Sequence, residues 1–408
     1  MVIDTGDTTW MLISTGLVMM MTPALGFFEA GLIRGKNSLS VIMQTFSGLA
    51  ILSTLWFVLG FTLVFSPSQG GFIGGFDWLF YNNVPFNESL DYAPTIPGVT
   101  FATFQMMFAV ITPLLITGAF AERVKWNAFV VFIVAWSIFI YYPLAHWIWG
   151  GGWLAELGVF DFAGGIVIHT SAGLASLAAA LVLGRRKNFG PDIMVPHNIP
   201  LAVIGATFLW LGWYGFNAGS ALASGSLAAN TLLVTHIASA TSALVWIALS
   251  WKRAGKPSST AAINGAISGL AGVTPAAGFI SAQNSFLLGI VIGFASYYAI
   301  LLLKEHLKID DALDVSSVHG VTGIVGSLAI GLIASTLINP AGPDGLLYGN
   351  PMQLATQAFG VAVAAALGFG GTIIIMKIID ATIGLKVREE EEDVGLDITQ
   401  HAERAYVS

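Results

Sequence analysis

The sequence predicts an all-α, polytopic membrane protein of eleven transmembrane helices, built as an inverted repeat of five and five with one helix added. Three observations predict it. Hydrophobic residues make up 55% of the 408 and charged residues only 10%, with a mean hydropathy of +0.79; a soluble domain carries roughly 25% charged residues. Eleven separate apolar runs each reach the ~20 residues that a bilayer crossing needs. All sixteen Lys and Arg lie near or after the C-terminal ends of odd-numbered runs.

In chain order, the first run, Thr9–Ile33, follows a stretch without Lys or Arg, so it reads as a retained span rather than a signal peptide. The second is Leu39–Phe65, and the polar, acidic and aromatic segment after it, Ser66–Gly98, reads as a cap or vestibule. Then come Val99–Ala121, Trp126–Ile148 and Phe162–Leu183, which complete a first half over residues 9–184. Ile199–Gly219, Leu227–Trp251, Ala261–Ile280, Ser285–Leu303 and Ser317–Ile338 make a second half over residues 199–339. Met352–Ile383 is the extra span, and residues 384–408 form a polar tail. Strict alternation over about ten residues, the mark of a membrane β-barrel, is missing.

Arg34 and Lys36 follow the first run, Arg123 and Lys125 the third, Arg185, Arg186 and Lys187 the fifth. Lys252, Arg253 and Lys256 follow the seventh, Lys304 and Lys308 the ninth. Lys377, Lys386, Arg388 and Arg404 lie at or beyond the end of the eleventh. Positive charge stays on the cytoplasmic side. The pattern therefore predicts a cell-membrane protein with its N-terminus outside and its tail in the cytoplasm. The net charge of −7 says little about partners. With no cysteine there is no disulfide or thiolate metal site. Nothing implies a cofactor, an enzyme or a nucleic-acid partner. The tail run Glu389–Asp393 reads as a solvated terminus.

Five spans per half invert the topology, as in many transporters. The fifth span has Asp161, then His169, then Gly173; the tenth has Asp314, then His319, then Gly323. The Asp–His spacing is eight in one and five in the other, while His and Gly lie four apart in both. A pseudo-two-fold axis would bring the two histidines together near the midplane.

Ionisable groups in a bilayer are costly, and each opens a functional hypothesis. Asp161 would cap the fifth helix, and a cation role is equally open to it. Asp314 reads as a cap of the tenth helix. Glu29 reads as an ion-pair partner of Arg34. His146 and His236 read as packed, hydrogen-bonded groups. His169 and His319 differ, because the repeat makes them equivalent: two facing imidazoles can share one proton, one ring donating and the other accepting. Aromatic residues form a second constellation. Phe104 and Phe108 share a face of the third span, and Trp213, Phe216 and Ser220 share a face of the sixth. Trp149 ends the fourth. Singly these mean packing or an interfacial belt; together they would make a cation–π cage with a hydroxyl acceptor, sized for a small cation.

At these residues the chain resembles the ammonium transporter (Amt/Mep/Rh) family, and its bacterial and archaeal Amt branch in particular. The resemblance rests on Gly118-Ala-Phe-Ala-Glu122-Arg123, Ala145-His-Trp-Ile-Trp149-Gly-Gly-Gly, Asp161-Phe-Ala-Gly-Gly165, Gly212-Trp-Tyr-Gly-Phe216-Asn-Ala-Gly-Ser220, Gly272-Val-Thr-Pro-Ala-Ala-Gly278 and Asp314-Val-Ser-Ser-Val-His319-Gly. It covers nearly the whole chain, in order. It implies ammonium or ammonia as substrate and a homotrimer with one pore per subunit. Phe108, Trp149 and Ser220 would form an outer ammonium site, and Phe108 with Phe216 a gate. His169 and His319 would be a twin pair in the pore, Asp161 a support, and Phe104 and Trp213 wall residues. The tail, Gly395-Leu-Asp397 and His401-Ala-Glu403-Arg-Ala405-Tyr406, also resembles the family, with Ala402 where the family usually has Gly. A PII-type signalling protein at the cytoplasmic face is the implied regulator.

The residues also admit rival readings. Four histidines in or beside spans would suit a haem-binding membrane cytochrome. A sensor would signal through the tail with little flux, although no output domain follows it. A water or glycerol channel lacks its paired Asn-Pro-Ala motifs here.

Overall fold

The structure, a computed structural model, describes residues 2–406 except Asn188 and residues 191–194. Ten helical segments among them are long and apolar enough to cross a membrane. They are Thr5–Leu32, Gly35–Phe65, Gly98–Phe120, Trp126–Glu156, Gly165–Leu183, Ile199–Ala218, Ser226–Ala254, Ala282–His306, Ser316–Ile333 and Met352–Thr382. The predicted eighth span is also helical, but as the 15-residue Ser259–Val273. It stops where Thr274-Pro275 begins a run of turns to Ile280, because proline removes a backbone donor and crowds the preceding turn. Residues 265–280 are all buried, so this irregular backbone is enclosed by protein, where a membrane tolerates it.

The tenth span ends early for a related reason. Ala334 turns to extended backbone, and the Ser335 N–H donates to Phe279 O in the turn region after the eighth. The third and fifth spans are the most enclosed; the ninth and eleventh lie at the edge. The segment between the second and third spans holds a short two-stranded ribbon, Ser68–Gln69 with Ile73–Gly74. It is tied down by Tyr92, whose hydroxyl reaches Phe65 O and Gly150 O at 3.0 and 3.3 Å.

The basic loops gather at one end. Glu122 pairs with Arg34 at 2.7 Å and with Arg186 at 2.9 Å; Asp310 pairs with Arg186 at 2.7 Å and with Arg123 at 3.3 Å. One buried network thus joins the loops after spans one, three, five and nine. The tail closes over this end. Ser40 N donates to Asp397, Leu396 N to Asn37 and Trp126 N to Gln400.

The tail run Glu389–Asp393 is therefore not a free solvated terminus. It forms the helix Glu389–Val394. Glu392 is buried and accepts from Lys187 N at 2.7 Å, and Asp393 pairs with Lys187 Nζ at 2.6 Å. The predicted Glu29–Arg34 pair is also replaced. Glu122, 88 residues away in sequence, takes Arg34, and Glu29 turns inward to Thr117.

Candidate functional site

The site lies along one line through the bundle. At the end opposite the basic loops is a cavity of about 300 Å³, whose lining includes Phe108, Trp149, Asp161 and Ser220. Tyr92 and Gln105 also line it, and sequence reasoning passed over both. Four predicted residues from four spans thus meet at one cavity. Trp149 is aimed by its indole N–H, which donates to Asp161 O at 2.8 Å. The Ser220 hydroxyl donates to Phe216 O at 2.8 Å. Its proton is spent there, so its lone pairs remain to accept from a ligand.

Phe108 and Phe216 close the floor, with ring centroids 4.3 Å apart and planes at 35°. Trp149 stands edge-on to Phe108 at 6.3 Å. Phe104 lies against Phe108 at 4.9 Å, outside the cavity lining. Beyond the ring pair is a chamber of about 20 Å³, lined by Phe216, Trp213, His169 and His319 among others. Room for a single water needs about 10–15 Å³, so the chamber holds one molecule of that size. Trp213 belongs here and not to the cavity above: its ring lies over His169 at 5.6 Å and His319 at 6.5 Å. Its N–H donates to Thr274 at 2.9 Å.

The two imidazoles meet Nδ1 to Nδ1 at 3.2 Å. One Nδ1 must carry a proton and the other must not, so the pair holds opposite tautomers. Both rings sit on single π-helical turns, Gly165–Thr170 and Ser316–Val321, and Phe216 on a third, Tyr214–Ala218. Such turns recur at functional sites because they re-aim side chains. The 3.2 Å gap leaves no space for a porphyrin plane between these rings, which removes the haem reading for this pair. His146 is buried and hydrogen-bonded to Ser68 and Val64 O, whereas His236 pairs with Tyr214 but is exposed rather than packed inside.

Asp161 accepts from four backbone N–H groups, those of Gly164, Gly165, Ile166 and Val167, at 2.7–2.9 Å. Both its oxygens are engaged in capping. The matching group on the tenth span is not Asp314, as the sequence reading had it. Asp314 turns its side chain to Lys304 at 2.8 Å. Asp311 caps instead, accepting from Ser316 N at 2.7 Å. Asp311 precedes His319 by eight residues, the spacing of Asp161 and His169. That equal spacing was the signal available in the sequence. A second pair was equally visible: Thr112-Pro113 lies in the last turn of the helix Gly98–Leu115, and Thr274-Pro275 follows the end of the eighth span's helix at Val273. Each threonine donates back to the carbonyl four residues earlier.

Residues 9–406 match the Ammonium Transporter Family. The chain belongs to that family. Ammonium transporter 1 of Dictyostelium discoideum is 56% identical over 407 residues, 99% of this chain and 88% of that one. Ammonium transporter Amt1 of Archaeoglobus fulgidus is 43% identical, covering 98% of this chain and 99% of the other. The Bacillus subtilis ammonium transporter is likewise 43% identical. Among solved structures, Mep2 of Candida albicans superposes with a TM-score of 0.89 at 35% identity, over 95% of this chain and 88% of that one. A structure titled Sensor Amt Protein superposes at 0.89 with 29% identity, over 97% of this chain and 98% of the other. This family member is a multi-pass membrane transporter for ammonium and not an enzyme.

Proposed function

We propose that the chain draws ammonium into the large cavity, strips its proton there, and conducts neutral ammonia past Phe108 and Phe216 along the twin histidines. One observation carries this: a stacked ring pair separates a cavity of about 300 Å³ from a water-sized chamber holding two hydrogen-bonded imidazoles. The cavity offers aromatic faces from Phe108 and Trp149 and an acceptor from Ser220, a set suited to a small cation that donates hydrogen bonds. The floor offers only ring carbon. Carrying an intact ion through it costs several kcal/mol even after relaxation. Ammonium avoids that cost by leaving its proton behind, which potassium and sodium cannot do. Asp161 supports the site through the fifth helix and Trp149 and does not touch the ion. The proton follows by way of His169 and His319.

Further elements of the reading rest on the family and on charge. The basic end faces the cytoplasm of a cell membrane and the N-terminus lies outside. The halves are inverted repeats, supported by the matched Asp–His spacing and the matched Thr-Pro pairs. The chain works as a homotrimer, and a PII-type protein docks at the basic end. A sensor role is the second reading, favoured by the docked tail and by likeness to the Sensor Amt Protein.

The test is the current from purified protein in a solid-supported bilayer after an ammonium jump, with sodium and potassium as controls. A saturating, ammonium-specific current is expected. Replacing both His169 and His319 by Ala should abolish it or admit potassium. An unchanged current and unchanged selectivity in that double variant would remove the histidines from the mechanism. Wild-type protein with neither current nor internal pH change would favour the sensor.

A further inference from the structure

Past the twin histidines the path reaches a buried acid. A second chamber of about 20 Å³ is lined by Leu25, Phe28, Glu29, Asn264, Val318 and His319 among others. His319 lines this chamber and the one above it, so the two adjoin at its ring. Glu29 is 2% exposed. No cation pairs with it among the described residues, since Arg34 is held by Glu122. A carboxyl left in such a place without a partner is a functional candidate. Its bonding supports that. The two Glu29 oxygens lie 3.1 and 2.9 Å from Thr117 Oγ1, which also lies within hydrogen-bonding distance of Leu114 O. Threonine has one hydroxyl proton and cannot serve both acceptors. With that proton on Leu114 O, the Thr117 oxygen accepts from a protonated Glu29. With it turned to Glu29, the carboxylate is stabilised instead. The site thus accommodates both protonation states with one hydroxyl rotation.

We propose that Glu29 is the proton donor that remakes ammonium at the basic end of the path. The proposal rests on the pore reading above. Ammonia passing His319 enters the lower chamber. Its nitrogen lone pair takes the Glu29 carboxyl proton, so an N–H bond forms and the O–H bond breaks. The products are ammonium and the Glu29 carboxylate, and the carboxylate supplies the counter-charge that this apolar chamber otherwise lacks. Ammonium then leaves toward the basic end. The carboxylate recovers the proton shed at the far cavity, handed on through His169 and His319. One ammonium nitrogen and one proton cross per cycle.

Glu29→Gln keeps the size of the side chain and its hydrogen bond to Thr117 but cannot cycle a proton. The experiment compares wild type, E29Q and E29D in proteoliposomes. It reads two signals after an ammonium jump, the charge moved and the alkalinisation of the lumen by ammonia. Expected for E29Q is a current reduced on the order of a hundredfold, the scale of losing a positioned acid–base group, with lumen alkalinisation appearing in its place, because ammonia released without its proton takes one from the lumen. Glu29→Asp should restore part of the current. A structural role would lower the current with no alkalinisation in its place, and that outcome, or an E29Q current equal to wild type, overturns the proposal. Wild-type protein showing neither signal would overturn the pore reading and this proposal together. Normal wild-type signals with an indifferent E29Q would overturn the proposal alone.

Discussion

Ala402 shows how one side chain sets the stability of the tail. It ends the helix Leu396–His401 at φ 55° and ψ 30°, the left-handed region, while its N–H reaches back to Asp397 O and Ile398 O. Glycine adopts that backbone freely, whereas an L-residue with a Cβ is penalised by roughly 1–2 kcal/mol. The sequence exposes the oddity, since the family resemblance implies glycine here, but not its sign: alanine either changes the backbone or strains it. The helix C-terminus keeps its left-handed cap, so the strain is borne. Ala402→Gly is expected to strengthen tail docking by about 1 kcal/mol, partly offset by the greater freedom of glycine in the undocked tail. Hydrogen exchange of the Leu396–His401 amides checks this. Slower exchange in the glycine variant is expected, and unchanged or faster exchange would show that Ala402 is not strained.

At the scale of elements, the histidine pair depends on how closely the fifth and tenth spans approach. A Cβ on Gly173 would stand 2.1 Å from the Gly320 nitrogen and 2.2 Å from its Cα. Backbone cannot yield as a flexible side chain does, so Gly173→Ala must part the two helices. Overpacking of this kind costs about 1–3 kcal/mol or more, and the 3.2 Å imidazole contact one turn away would open. A lowered melting temperature in detergent and loss of ammonium current are expected. Gly370→Ala is the control: nothing lies within 4 Å of its added Cβ, and alanine favours a helix by up to about 1 kcal/mol. If the two variants melt alike, close approach at Gly173 does not hold the pair together. This also separates what was legible from what was not. Spans were legible because length and hydropathy are local. Phe108, Phe216 and the histidines were legible because each stands out as an aromatic or ionisable group at a repeated helical position. The Asp311 cap was missed because the nearest acid to the helix start, Asp314, drew the assignment, although only Asp311 keeps the eight-residue spacing. The inward turn of Glu29 was missed because Arg34 is taken by Glu122, 88 residues further along the chain from that arginine. The early end of the eighth span was missed because its irregular backbone keeps the hydropathy of a span.

Across the whole molecule, the basic loops and the tail are cross-linked by charge in addition to buried apolar residues such as Val124, Leu385 and Leu396. Glu122 and Asp310 sit between Arg34, Arg123 and Arg186, with Lys187 and Glu392 joining the tail to the same network. Burial works against both carboxylates, but the neighbouring guanidinium charges and their hydrogen bonds outweigh it, and both acids are held below the usual carboxylate range. An acid whose folded-state pKa is depressed stabilises the fold fully above its unfolded value. That stabilisation is lost as pH falls through the folded value. Unfolded Asp and Glu titrate near about 4, so the network should hold unchanged at neutral pH and fail progressively below about pH 4. Melting temperature followed downward from neutral pH in detergent should therefore be flat and then drop. Removing one charge isolates the cause. Glu122→Gln leaves Arg34 and Arg186 facing a neutral amide, and breaking a buried pair in this way costs about 3–5 kcal/mol. The variant should melt lower at neutral pH and lose less on acidification, because one of the titrating groups is gone. Parallel acid limbs in the two proteins would mean that the acid sensitivity resides elsewhere. A flatter limb in E122Q would tie it to the loops after spans one, three, five and nine and to the tail docked on them.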